Sequence, residues 1–313
     1  DDPAVPGMSY WELDFNKDLV NVIAIKNYLS ARCLTAAPEI PVPQNVFMVS
    51  KEETGMERFL SRIGDHQRAI RPVEIDATLH TTHPILMDDE KTIMAFKAGR
   101  DLTLFTSLRI MIIDVQGWSG QKVQYTSIPY ESIRAFSAES AGSWDRDSEV
   151  DVFTRNLWSQ TKVALNFRKG KADIVSIQKF LAAIVLGNKE EAGSYLNSQE
   201  PISPQANPAG LDSFMSWLTN NSNPEDTAVV DIQLHSEPAI LMDEERVLRA
   251  FRQGRDMYLY TTLRILLVDV QGLQGKKVEY KSIPWKWCTG FEFETAGNLD
   301  RDAELYLFAY IPN

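Results

Sequence analysis

Cysteine, histidine and long apolar runs are all scarce in this chain, and each scarcity removes a class of protein. Only Cys33 and Cys288 occur in 313 residues, far apart. A disulfide framework and a cysteine-held metal site both need more thiols than that. The histidines are His66, His80, His83 and His235, and none stands in an HExxH. A G-x-S-x-G and a phosphate-cradling glycine loop are missing too, so neither a cofactor nor catalytic machinery is expected. No apolar run approaches the roughly 20 residues that cross a bilayer. Basic residues number 32 against 43 acidic ones, a formal charge of −11. That balance disfavours partners held mainly through phosphate, nucleic acid above all. What remains, 44% hydrophobic and 24% charged, is the composition of a soluble globular protein with room for two domains. The first residue is Asp1 and no targeting segment is legible. The compartment stays open, with a soluble, non-secreted one expected: cytoplasm, or an organelle interior after N-terminal processing.

The chain then says one thing twice. Ile85–Asp151 can be laid over Ile240–Tyr306 at a constant offset of 155 residues without a gap, with about half of the positions identical. ILMDDE matches ILMDEE, AFKAGRD matches AFRQGRD, and DVQGWSGQKVQYTSIPY matches DVQGLQGKKVEYKSIPW. A gapless repeat of this length means one domain fold in two copies. The repeat starts earlier than the identities do, because Gly55–Gly64 and Gly210–Thr219 both read as a short helix with one apolar face. The organisation is therefore an extension over 1–54, a first domain over 55–186, a solvated linker over 187–209 and a second domain over 210–313. The extension is read as having no counterpart at the repeat offset. It carries an amphipathic helix from about Asn16 to Cys33, with Leu19, Val22, Ile25 and Leu29 at helical spacing.

Inside each copy the rhythm is that of strands. Gly99 and Gly254 mark very short connections between the first two. Pro129 and Pro284 close a fourth strand, which places them at an edge or bulge. The first copy continues with strands at Val150–Asn156 and Lys162–Arg168. A helix then runs from Asp173 to Leu186, capped by Asp173 and striped by Ile174, Ile177, Leu181 and Ile184. The expected class is mainly β with capping helices. The second copy stops at Asn313, in its sixth strand, without a last strand or closing helix. Either the chain continues, or another segment caps that domain.

AF-x-x-G-R-D, T-x-L-R-I, D-V-Q-G-x-x-G-x-K, Y-x-S-I-P and A-G-x-x-D-R-D-x-E occur in the same order in both copies. Together they resemble the bacterial pleckstrin-homology domain family. The resemblance implies two nearly orthogonal antiparallel sheets with a C-terminal helix across one open end. It also implies ring-like homo-oligomers and no catalytic activity. This chain departs from the single-domain pattern in being a tandem, and two linked, unlike domains can substitute for two identical protomers.

Candidate sites follow from what the copies share and what they do not. Arg100 and Arg255 are the anion-binding candidates, but each is followed at once by an aspartate, which favours a structural ion pair. Asp145, Asp147 and Glu149, with Asp300, Asp302 and Glu304, alternate at period two and are weak metal candidates. A solvated strand edge neutralised by nearby cations explains them better. His80 and His235 recur at the repeat offset and read as structural groups. Trp118, Trp144, Trp285 and Trp287 belong to one copy only and are candidates for unshared contacts; with Val22, Ile25 and Leu29 they form the expected protein interface. The expected function is a non-enzymatic scaffold or adaptor acting through other proteins or through self-association. A peripheral lipid-headgroup module is the alternative.

Overall fold

The computed structural model describes residues 68–116, 122–141, 147–157, 160–168, 171–197, 226–236, 238–271, 277–294 and 304–309. The first copy runs β1 (Arg68–Ile70), α1 (Pro72–His80), β2 (Thr92–Ala98), β3 (Asp101–Thr106), β4 (Arg109–Gln116), β5 (Lys122–Pro129), β6 (Ile133–Glu139), β7 (Asp147–Leu157), β8 (Gln160–Arg168), α2 (Ile174–Leu186) and α3 (Lys189–Asn197). The second runs α4 (Thr227–Ser236), β9 (Val247–Gln253), β10 (Asp256–Thr261), β11 (Arg264–Gln271), β12 (Lys277–Pro284), β13 (Cys288–Glu294) and β14 (Glu304–Ala309). One-turn 3-10 helices at Tyr130–Ser132 and Trp285–Trp287 follow the two prolines.

All strand pairs are antiparallel. β1 to β5 form one sheet in sequence order, and β13 and β14 form a small one. The third sheet joins the two copies, in the order β8-β7-β6-β12-β11-β10-β9. Gly99 and Gly254 both sit at φ 63°, the left-handed conformation that lets a two-residue connection return the strand. Pro129 closes an edge strand, as its missing N–H requires. Pro284, expected at an edge or bulge, instead ends β12, an interior strand of the joined sheet; the stretch that pairs with β6 is Glu279–Ser282, so no bond of the joint falls on the proline.

The closing helix of the first copy forms as its sequence dictates. Asp173 accepts from the Ser176 N–H at 3.1 Å, and Gly187 ends the helix at φ 94°. Ile174, Ile177 and Leu181 are buried and Ile184 is partly buried against the same core, each full burial contributing about 1.5–3 kcal/mol. Phe180, from the same helix, packs edge-on against Phe105 and Tyr130.

Three helices and one strand were not expected. β1, α1 and α4 precede the identities of the repeat. α3 corrects the reading of 187–209 as a solvated linker: Lys189–Asn197 is helical, Ala192 is buried, and Tyr195 meets Phe180 edge-on with centroids 5.5 Å apart. Its polar composition hid a one-sided contact. Among the described residues no helix is long and apolar enough to cross a membrane.

Candidate functional site

The residues that both copies keep hold the fold. Arg109 and Glu90 are wholly buried and meet through two parallel bonds, Nε to Oε1 and Nη2 to Oε2, each 2.8 Å. Arg109 also donates to Ser127 Oγ at 2.9 Å and to the Ile85 carbonyl at 3.1 Å, while Thr106 Oγ1 donates to Glu90 at 2.7 Å. The second copy repeats the network with Arg264, Glu245, Ser282, Ile240 and Thr261 at 2.7–2.9 Å. A charge pair buried this deeply survives only because nearly every donor and lone pair is used. The motifs ILMD-x-E, T-x-L-R and S-I-P are the three parts of this one network.

The recurring histidines are also structural in geometry. His80 lies between two carbonyls, Nδ1 at 2.8 Å from Asp76 O and Nε2 at 3.1 Å from Met87 O. His235 repeats this with Asp231 and Met242 at 2.7 and 3.0 Å. On His80, two acceptors on one ring favour the imidazolium. Burial pushes the His80 value down, but the Asp76 and Met87 carbonyls and the Asp76 charge outweigh it, so it is raised. A raised folded value means a stabilisation that is complete below the ordinary value of about 6.5 and fades as pH rises through the folded one. His80→Ala should therefore lower the thermal midpoint more at pH 6 than at pH 8. Equal losses at both would show that the ring acts by packing alone.

What differs between the copies collects where they meet. β12 pairs with β6 in the register Glu279↔Glu139, Tyr280↔Ala138, Lys281↔Ser137 and Ser282↔Phe136. Ser140 N–H donates to the Val278 carbonyl at 3.0 Å, Ser140 Oγ accepts from Val278 N–H at 3.1 Å, and Lys277 reaches Glu139 at 2.7 Å. The Arg134 guanidinium lies 3.6 Å from the centroid of the Trp287 ring. Lys286 donates to the Val185 carbonyl of α2, and burial lowers its pKa, with Arg134 adding to the effect. Met242 of the second copy is buried in the first copy's core. The joint is thus a continuous sheet with side-chain contacts on its flank.

Of the expected interface residues, the structure brings Trp287 to this joint, within the chain and not on its outside. Trp285 replaces Tyr130: Nε1 donates to Thr261 O at 2.8 Å as the Tyr130 hydroxyl does to Thr106 O. Trp118, Trp144, Val22, Ile25, Leu29, Asp145, Asp300 and Asp302 lie outside the described residues. Arg100 and Arg255 are exposed at the tips of their turns. The aspartates that follow them clamp the hairpin, Asp101 accepting from Val115 N–H and Asp256 from Val270 N–H. Asp147 and Glu149 open β7, and Glu304 opens β14. Lys162 bridges Glu149 and Asp151 at 3.5 and 2.6 Å, and no cluster of metal-ligating residues forms among the described residues. Burial, with Asp151 beside it, raises the Glu149 carboxyl, as expected of a crowded acidic edge.

The missed feature is an open face. In the first copy Ile93, Phe96 and Tyr130 are 2, 5 and 8% exposed under β8 and α2. Their counterparts Leu248, Phe251 and Trp285 are 49, 49 and 36% exposed. Phe251, Tyr260 and Trp285 form an edge-to-face row with centroids 5.6 and 5.9 Å apart. Large apolar or aromatic residues stand at these positions in both copies, so nothing in the sequence shows that only one set is covered.

Comparison with known proteins agrees with the repeat. The sequence model of the bacterial PH domain family matches residues 63–185 and again 215–310. The uncharacterized protein YjqA of Bacillus subtilis (strain 168) is 42% identical over 102 residues, which is 33% of this chain and 80% of YjqA. A DUF1696 family protein with a pleckstrin-homology domain from Shewanella loihica is 33% identical, matched over 99% of its length and 39% of this chain, with a TM-score of 0.33. A pleckstrin-homology domain from Shewanella amazonensis is 36% identical, over 99% of its length and 41% of this chain, with a TM-score of 0.32. Matched twice, in segments that each hold one buried arginine–glutamate network, the chain belongs to the bacterial pleckstrin-homology domain family and carries that domain as a tandem pair.

Proposed function

We propose that this chain is a non-enzymatic scaffold that assembles with copies of itself through the edges of its sheets. Each copy is read as a pleckstrin-homology barrel of two nearly orthogonal sheets with a C-terminal helix across one end. The observation that carries the proposal is the β6–β12 joint. It couples the strand after the closing proline of one domain to the strand before the closing proline of the next, so it is head-to-tail and not self-complementary. It leaves the reciprocal pair of edges open. β5 and β13 have no strand on their outer sides among the described residues. Lys122 and Glu294 stand in those edges where Lys277 and Glu139 form their ion pair in the joint. An open strand edge is a template for another chain, and strand addition is a general mode of protein recognition.

Light scattering of the native protein tests this. Particle masses should be multiples of 35.5 kDa. A single-chain mass at every concentration would remove self-association. Strong, salt-sensitive flotation with anionic liposomes would instead support the headgroup-binding alternative.

A further inference from the structure

The outer edge of β9 differs from its counterpart in both cover and charge. In the first copy β1 adds antiparallel to β2 in the register Arg68↔Lys97, Ala69↔Phe96 and Ile70↔Ala95, and all three β2 residues are buried. In the second copy the corresponding residues are Arg252, Phe251 and Ala250, and among the described residues β9 pairs only with β10. Such an edge presents main-chain donors and acceptors to an incoming strand. Arginine stands at every third position along it: Arg246, Arg249, Arg252 and Arg255, where the first copy has Lys91, Met94, Lys97 and Arg100. Arg246 donates to the Asp243 and Glu245 carbonyls at 2.6 and 2.8 Å, while Arg249 donates to the Leu248 carbonyl and Arg252 to the Gly254 carbonyl, each at 2.7 Å. None of these three meets a carboxylate among the described residues. Arginine is less tightly hydrated than lysine and forks onto a carboxylate through two parallel bonds, as Arg109 does on Glu90. A cationic edge can also serve only to repel other strands. An edge built for that alone has no use for Leu248 and Phe251, half exposed between the arginines.

We infer that the outer edge of β9 takes up an extended acidic segment of another protein, added antiparallel as β1 is added to β2. Arg249 and Arg252 lie an odd number of residues apart on one strand, so they project to opposite faces. The segment therefore carries carboxylates on both of its faces, three residues apart, with an apolar residue opposite Phe251. Main-chain bonds supply the affinity, and the arginines choose the partner. β5 and β13 are other edges, so this docking goes beyond assembly of the chain with itself and does not rest on it.

The probe is a fluorescent peptide that repeats glutamate-valine-threonine, titrated with the full chain and read by anisotropy. It should bind, and lose about tenfold or more in affinity between ionic strengths of about 0.05 and 0.5 M. The same peptide with lysine for glutamate should not bind. Arg249→Ser with Arg252→Ser should weaken binding about tenfold or more with the near-ultraviolet circular dichroism unchanged, and Arg100→Ser in the first copy should leave it as it was. N-methylation of alternate peptide residues separates strand addition from attraction between charges. Only every other amide of an added strand faces its neighbour, so one frame of methylation should abolish binding and the other should spare it. Equal binding in both frames, or by the double variant, would overturn the inference. So would flotation with anionic vesicles that the double substitution abolishes while the peptide goes unbound, which would give the arginines to a membrane. Protection of Val247–Gln253 from hydrogen exchange that grows with the concentration of the chain alone would give the edge to a second copy instead.

Discussion

Arg109→Met will strip about 3–5 kcal/mol of stability from the first domain. The substitution strands Glu90 in a site of no exposure, and breaking a buried pair by removing one partner costs about 3–5 kcal/mol. Domains of this size have about 5–15 kcal/mol in total, so one side chain removes much of the margin. Ser127 Oγ and the Ile85 carbonyl lose their donor at the same time. Glu90→Leu with Arg109→Met should recover much of the loss, because no charge is then left unpaired. Urea titration followed by near-ultraviolet circular dichroism reads both variants. A loss below about 1 kcal/mol for the single substitution would mean that the guanidinium reaches water. Arg264→Met should do the same to the second domain.

Acid acts on the same network. Burial pushes the Glu245 carboxyl up, but the Arg264 charge and the hydrogen bonds from Arg264 and Thr261 hold it below the usual carboxylate range. Its contribution is therefore complete above the unfolded value of about 4.3 and is lost as pH falls through the lower, folded value. The stabilisation that Glu245 gives the second domain should decline as acid takes the pH below the unfolded value, which denaturant titrations at a series of pH values would read.

Trp287→Ser will uncouple the two domains. The ring lies under Arg134 and fills the flank of the β6–β12 joint. Losing a cation–π contact of about 0.5–2 kcal/mol together with part of the roughly 3–5 kcal/mol of a buried aromatic gives an expected cost of about 2–4 kcal/mol. That energy sits between domains, so it should appear as two thermal transitions where the unaltered chain has one. Trp285→Ser should leave the coupling intact, because Trp285 lies on the open face and bonds within its own copy. If both serine variants melt alike, the joint does not hold the domains together.

The sequence made some of this legible, and physics explains which parts. The Asp173 cap, the left-handed glycines and Pro129 are local signals, decided within four residues, and the chain folds there as they dictate; Pro284 was expected at an edge and ends an interior strand, because the joint to β6 is not a local matter. Glu90 and Arg109 were visible as identities, but their contact spans 19 residues and two strands. No local period reports such a pairing. Trp287 differed from Ser132 in the other copy, which correctly marked it as unshared. Whether it faced a partner or the neighbouring domain depended on a strand pairing 138 residues apart in sequence. Ala192 and Tyr195 were hidden in a polar stretch because a single turn of contact sufficed to hold α3.

Covalent pairing of the domains has an arithmetic consequence for any closed assembly. One head-to-tail joint is already made inside each molecule, so domains can be added only two at a time. If assembly through the sheet edges holds, this pair of domains enters a ring or a polar filament as one unit of two. Successive joints also alternate in chemistry, since Trp287 and Arg134 reinforce one and their counterparts Ser132 and Thr289 stand in the other. Such a polymer would come apart at every second seam.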